Sequence, residues 1–516
     1  MTQTPETPTP GSTATEAATV QAPAAAHGAT PIRGIGNVPR SSIETGKFGR
    51  LFRGLTPLVL DETQIDTLVA SMVDTGDPAA PGGWASTPTP SDSGLAAGWT
   101  YLAQFIDHDI TFDPTSLLDR ANDPDALENF RTPRFDLDSV YGLGPTANPW
   151  LYDSNDPDKL LLGANPPEFL QRDLNRNHQG RALIGDPRND VHVIIAQLHL
   201  AFVEFHNHVV DRVRQDPSLV TGVPATPVGG WGGGSPVSGA PTFGQIVTLV
   251  RWHYQWLVLR GFLPAVCGAD AVDDVLRSNK GKLDAVLKLY SVKRKPWMPV
   301  EFSGAAYRFG HSLVRDAYLL NGAGIPVLPV FTAAGDTDPL ADLRGFRRLP
   351  TGWEIEWHRF FDGLPGSGPD TQRARRFDTR IAGALHALPA SIDHMGRSLA
   401  KLNLQRGVAL ELPSGEDFAT AVAGKLRIDP AEVQIQTGLS HPAPLWFWIL
   451  KEAELTRDGQ TLGRIGGRVV TEVLVGLAEK DPSSFLKAQP DWTPTLGATP
   501  GAFTIADLLT IAAVTP

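Results

Sequence analysis

The chain has 516 residues, 41% of them hydrophobic, which is enough to bury a large core. Its 45 Lys and Arg against 56 Asp and Glu give a net charge of −11, with no basic run or basic-aromatic stripe, and this excludes a protein built to track a phosphate backbone. One cysteine, Cys267, excludes an internal disulfide, so stability must come from packing, a bound cofactor or ions, as suits a reducing compartment.

Residues 1–38 are Pro-, Thr- and Ala-rich and read as a disordered tail. They carry no basic start and no apolar stretch of signal-peptide length, which points to the cytoplasm, with secretion by a leaderless route as the alternative. Residues 39–516 read as one catalytic domain with a Gly/Pro-rich surface loop at 221–244 and no internal repeat. The most apolar stretch, "VHVIIAQLHLAFVEF", carries two His, a Gln and a Glu, so no membrane span is expected.

The strong periodicities are helical. In "SDSGLAAGWTYLAQFIDHD" a Ser or Asp cap precedes Leu95, Trp99, Leu102 and Ile106 on one stripe, and Val191, Ile194, Leu198, Phe202 and Phe205 mark a long second helix. Further helices are expected in "TFGQIVTLVRWHYQWLVLRGFL", around Val272, and in "AYRFGHSLVRDAYLL", "TRIAGALHAL" and "LGRIGGRVVTEVLVGLAEKD". Strand-like alternation is scarce, and the fold class is mainly α.

Four segments carry chemistry. In "AQFIDHDITFD", Gln104 and His108 lie one turn apart on one helix face, with Asp107 beside them and Asp109 rotated away; a solvated helix end is the bland reading. In "RTPRFDLDSVYG", Thr132, Arg134, Asp136 and Asp138 recur every second residue, which suits oxygens converging on a hard cation such as calcium, or equally a pair of Asx turns. Arg188 stands just ahead of the long helix, where His192, His199 and His206 recur every seven residues. That spacing is too wide to share one ion and reads as buried, hydrogen-bonded histidines. His311 follows Gly310 in "YRFGHSL", where a glycine allows close approach of something bulky.

Together "QFIDHDI", "DLDSVYG", "GDPRND" with "HLAFVEFHN", "RWHYQW", "YRFGHSL" and "LNLQRG…LPSG" resemble the animal heme peroxidase family (the peroxidase-cyclooxygenase superfamily), in a compact form like its bacterial members. The resemblance implies a helical fold with heme b between central helices. His108 would then be the distal base, Gln104 its neighbour, Arg188 the distal arginine and His311 the proximal iron ligand. Asp107 would be able to form one ester with the heme, and Asp109, Thr132, the Arg134 carbonyl, Asp136 and Asp138 would bind calcium. It further implies hydrogen peroxide and small reducing substrates as partners, and a place in the response to oxidative stress.

Departures from the family pattern sharpen these expectations. Val191 stands where the mammalian defence enzymes have the glutamate of a second heme ester, and His192 where a heme-linked methionine occurs. Oxidation of organic donors, extending to iodide or bromide rather than chloride, is therefore expected. Glu416, after "LPSG", is expected to hydrogen-bond His311. Tyr307 lies four residues before His311, and Arg308 holds the place of the oxygenases' radical tyrosine, so Tyr307 is expected to turn away and fatty-acid dioxygenation ranks second. A heme-free structural or adhesion protein is a further alternative, opposed by the filled catalytic positions. The four-residue "SLAK" at 398–401 lacks the companion motifs of a serine hydrolase.

Overall fold

The computed structural model describes residues 48–74, 92–111, 133–163, 172–226, 228, 240–279, 281–290, 296–332, 338, 340–389 and 398–512. The expected tail at 1–38, most of the 221–244 loop, and Thr132 lie outside the described residues.

Nine helices organise the described chain: α1 (Glu62–Ser71), α2 (Gly98–Ile110), α3 (Val193–Gln215), α4 (Phe243–Trp256), α5 (Leu399–Ala409), α6 (Gly415–Leu426), α7 (Leu445–Arg457), α8 (Arg464–Lys480) and α9 (Ile505–Ile511), with shorter turns between them. Strands occur as four short pairs, among them β1 (Asp92–Ala96) antiparallel to β2 (Arg373–Arg375). The fold is mainly α, as the periodicities predict.

The centre is where α2, α3 and α4 meet. Phe105 of α2 stacks on Phe202 of α3 with ring centroids 4.3 Å apart, and Tyr254 of α4 presents its edge to both. All three rings are fully buried or nearly so, and such pairs add to the stabilisation from area burial alone. α3 is apolar nearly all round because it is wrapped on every side, with α2, α4 and α9 against it. Among the described residues it is the one helix long and apolar enough to cross a membrane, and 89% of its most apolar window is buried within the protein.

Two local expectations change. Leu95 belongs to β1 rather than to the helical stripe, because Asp92 is drawn inward to a buried ion pair with Arg315 (Oδ1 to Nη1, 2.7 Å) that holds the segment extended. α2 then starts without the expected Ser or Asp cap: the Gly98 amide donates to the Phe360 carbonyl at 2.7 Å, and a Cβ there would collide with the Phe361 ring. In "AYRFGHSLVRDAYLL" the structure forms a 3₁₀ turn at Ala306–His311 followed by a short strand at Ala317–Tyr318, and "TRIAGALHAL" forms only a 3₁₀ turn at Gly383–Leu385. Arg315, bound to Asp92 and to the Arg373 carbonyl, holds the chain off a helical path after His311.

Candidate active site

Between α2 and the Ala306–His311 turn lies a cavity of about 920 Å³, its open mouth included. That falls within the roughly 300–1,000 Å³ typical of small-molecule sites. Gln104, Asp107 and His108 line one wall, and Tyr307, Arg308, Gly310 and His311 the other. Val191, His192, Val314, Val330, Phe331, Leu385, Leu388 and Leu399 complete a largely apolar rim.

His108 is buried, and its Nδ1 meets Asn189 Oδ1 at 2.7 Å, while Asn189 Nδ2 meets His199 Nδ1 at 3.0 Å. With the amide donating to His199, its oxygen accepts from His108 Nδ1–H, which leaves His108 Nε2 as the proton-accepting nitrogen. Burial, and next the Arg188 cation, lower the His108 pKa to about 4, so the ring is a neutral base at physiological pH. The histidines expected to be buried and hydrogen-bonded are so: His199 in this chain, His192 at Gln104, and His206 between the Tyr141 hydroxyl and the Asp158 carbonyl. Asn189, inside the quoted "GDPRND", went unread because an asparagine beside a turn is a common cap residue.

Arg188 is not among the residues lining the cavity. Its guanidinium pairs with Asp186, which is wholly buried (Nη2 to Oδ2, 2.8 Å), and donates to the carbonyls of His108 (3.0 Å) and Thr111 (2.5 Å). These carbonyls belong to the last turn of α2, so the cation clamps the helix end that carries His108. The sequence shows a cation in the right neighbourhood; Asp186, two residues before it, decides where it points. Arg188→Leu is expected to lower unfolding stability by about 3–5 kcal/mol, because Asp186 is left buried without its partner. Urea denaturation at pH 7 measures this, and an unchanged midpoint would show that the clamp carries no weight.

On the opposite wall, His311 Nδ1 meets Asn403 Nδ2 at 2.7 Å. This corrects the expectation for Glu416, whose carboxylate accepts instead from the Ala443 amide (3.0 Å to Oε2) at the start of α6. Asn403 sits within the quoted "LNLQRG", in the interior of α5, where nothing in the local pattern distinguishes it from a polar surface residue. Gly310 faces open space where a Cβ would project, so the cavity floor beside His311 is clear. Tyr307, expected to turn away, lines the cavity, and its buried hydroxyl has no hydrogen-bond partner.

Asp107 lines the cavity and accepts from the Thr111 hydroxyl at 3.0 Å. Asp109 points the other way, fully buried, and accepts from the Leu137 amide at 3.3 Å. Burial, followed by the charges of Asp138 and Asp109, pushes the Asp136 carboxyl well above the usual carboxylate range. The Arg134 guanidinium lies 3.8 Å from Asp481. Among the described residues no group of three or more His, Cys, Asp or Glu is arranged to hold a metal ion, so the expected calcium shell is not assembled there.

The sequence model of the family described as animal haem peroxidase matches residues 118–414, more than half of the chain. The protein is a member of the animal haem peroxidase family. The match spans Arg188, His311 and Asn403, whereas Gln104 and His108 precede it. Among solved structures, peroxidase A of Dictyostelium discoideum is similar at 14% identity and a TM-score of 0.59, covering 92% of this chain and 94% of that one. Fatty acid alpha-dioxygenases of Arabidopsis thaliana (14% identity, TM-score 0.51, 91% of this chain, 74% of that one) and Oryza sativa (15%, 0.51, 87% and 79%) share the fold as well. No curated protein matches the chain.

The cavity of this animal haem peroxidase family member fits the group its family name implies. An apolar slot with an imidazole on each wall, and no side chain at Gly310, suits a flat macrocycle. His311 and its partner Asn403 suit an iron ligand, since ligating histidines are generally oriented through their second nitrogen.

Proposed function

We propose that the protein is a haem-dependent peroxidase that cleaves hydrogen peroxide and oxidises small organic donors, extending to iodide or bromide. The observation that carries this reading is that one cavity is lined by both His108 and His311. Haem b would be held through His311, and when bound it supplies an iron with an open position that activates peroxide. His108 Nε2, neutral at physiological pH, removes the proton from the inner peroxide oxygen and returns it to the outer one, which departs as water. The Asn189 and His199 hydrogen bonds hold its ring in the orientation this needs. The apolar rim keeps bulk water from the site and leaves room for a small donor at the mouth. Asp107 is the one carboxylate placed to form an ester, since Val191 lines the cavity where a second would be needed. Calcium stays part of this proposal through Asp109, Asp136 and Asp138, whose mutual repulsion a divalent cation relieves.

A second reading is favoured by Tyr307. Its phenol in the cavity is the residue type that fatty-acid dioxygenation requires, at four rather than three residues from His311. An optical spectrum of haem-reconstituted protein, before and after one equivalent of hydrogen peroxide, tests the first reading. A Soret band that shifts on peroxide addition is expected, absent in His311→Ala, altered in Asn403→Leu and unchanged in Glu416→Gln. Oxygen uptake with linoleate and no added peroxide, abolished in Tyr307→Phe, would put the second reading first.

A further inference from the structure

We infer that His192 is a positioning residue that fixes the direction of the Gln104 side-chain amide, so that its NH₂ group is the oriented hydrogen-bond donor of the cavity's distal wall. The inference deepens the peroxidase reading and rests on it for the identity of the ligand, which is a small hydrogen-bond acceptor: an anion or a peroxide oxygen.

Three steps carry it, each settled by which atoms can donate. His192 is the N-cap of α3, and its Nδ1 accepts from the Ile195 backbone amide at 3.2 Å, a group that can only donate. The ring is buried and burial holds its pKa down at about 3, so it is neutral and its single proton must sit on Nε2. Nε2 lies 2.8 Å from Gln104 Oε1 and therefore donates to it. The Gln104 oxygen is thus committed, and the amide nitrogen is the end left for the cavity that Gln104 lines. A glutamine alone offers a donor or an acceptor according to how its amide turns. Anchored in this way it offers only a donor.

The placement of Arg188 gives this anchor its weight. With that guanidinium spent on Asp186 and on two carbonyls at the end of α2, Gln104 is the donor that remains close to His108 on the distal wall. Tyr101, whose ring meets the His192 ring edge-on with centroids 5.1 Å apart, keeps the imidazole from swinging out of this arrangement.

The test uses His192→Asn, because asparagine is among the best N-cap residues and keeps α3 capped, yet is too short to reach Gln104. In the haem-loaded protein, fluoride is the probe, since its complex is stabilised by a distal donor. His192→Asn and Gln104→Leu are each expected to weaken fluoride binding about tenfold, as loss of a hydrogen bond to a charged acceptor does, with no further loss in the double variant. A second measurement needs no haem: selective ¹⁵N-histidine labelling is expected to show His192 as the Nε2–H tautomer and neutral down to pH 5. Wild-type fluoride affinity in His192→Asn beside a loss in Gln104→Leu, or an Nδ1–H signature for His192, would overturn the inference. If the wild-type protein takes up no haem, the peroxidase reading fails, and the tautomer measurement still decides the role of His192.

Discussion

His108→Leu is expected to slow peroxide cleavage by roughly 10²- to 10⁴-fold, the contribution of a positioned acid-base group, while leaving haem uptake through His311 intact. Stopped-flow mixing of the reconstituted variant with hydrogen peroxide measures the rate. The pH dependence carries the same assignment. Burial and the neighbouring Arg188 cation set the His108 pKa at about 4, so the base is already deprotonated at pH 5 and above. The wild-type rate should be flat from pH 5 to 8 and fall only as pH approaches 4. A rate lost near pH 6.5, the ordinary histidine value, would mean that the proton acceptor lies elsewhere.

The second large effect is on stability in acid. His108, His192, His199, His206 and His253 are all buried, and burial is the first cause holding their pKa values at about 3 to 4. In the unfolded chain each titrates near 6.5. A depressed folded-state value means that the unfolded chain binds more protons, so the stabilisation is full above pH 6.5 and is lost as pH falls toward 4. Each histidine contributes a slope of up to about 1.4 kcal/mol per pH unit. Their hydrogen bonds show why they resist protonation: His253 donates from Nδ1 to the Leu249 carbonyl and accepts at Nε2 from the Thr495 and Leu496 amides, so a second proton has no place to go. Urea midpoints at pH 7, 6 and 5 should fall steadily, with proton uptake on unfolding. A midpoint independent of pH over that range would contradict the neutral assignment.

The long helices were legible because their period repeats over several turns: α3, α4 and α8 lie where the apolar spacing puts them. The Ala306–His311 turn was not, since over six residues a 3₁₀ and an α pattern coincide, and the choice is made by Arg315 reaching Asp92 from 223 residues away. The divergent aims of Asp107, His108 and Asp109 followed from helix geometry alone and stand. Partner choice was the weaker part. Asn403 and Glu416 are both polar residues near the same loop, and only the approach of α5 to the 306–311 turn selects Asn403. Arg188 and Tyr307 make the same point in opposite senses. One is drawn away from the cavity by a close carboxylate, and the other is admitted because the turn that carries it is tighter than a helix.

The aromatic stack of Phe105, Phe202 and Tyr254 sits less than one turn of α2 from His108, so the proton acceptor inherits its location from the deepest part of the molecule. The cavity's far rim is made differently: Leu385 and Leu388 come from a short 3₁₀ turn and the irregular segment after it, and Leu399 from the first residue of α5. Selection for new donors can therefore reshape the entrance at those leucines while the reaction's proton-handling machinery is inherited unaltered, and variants that differ in what they oxidise need not differ in how they consume the oxidant.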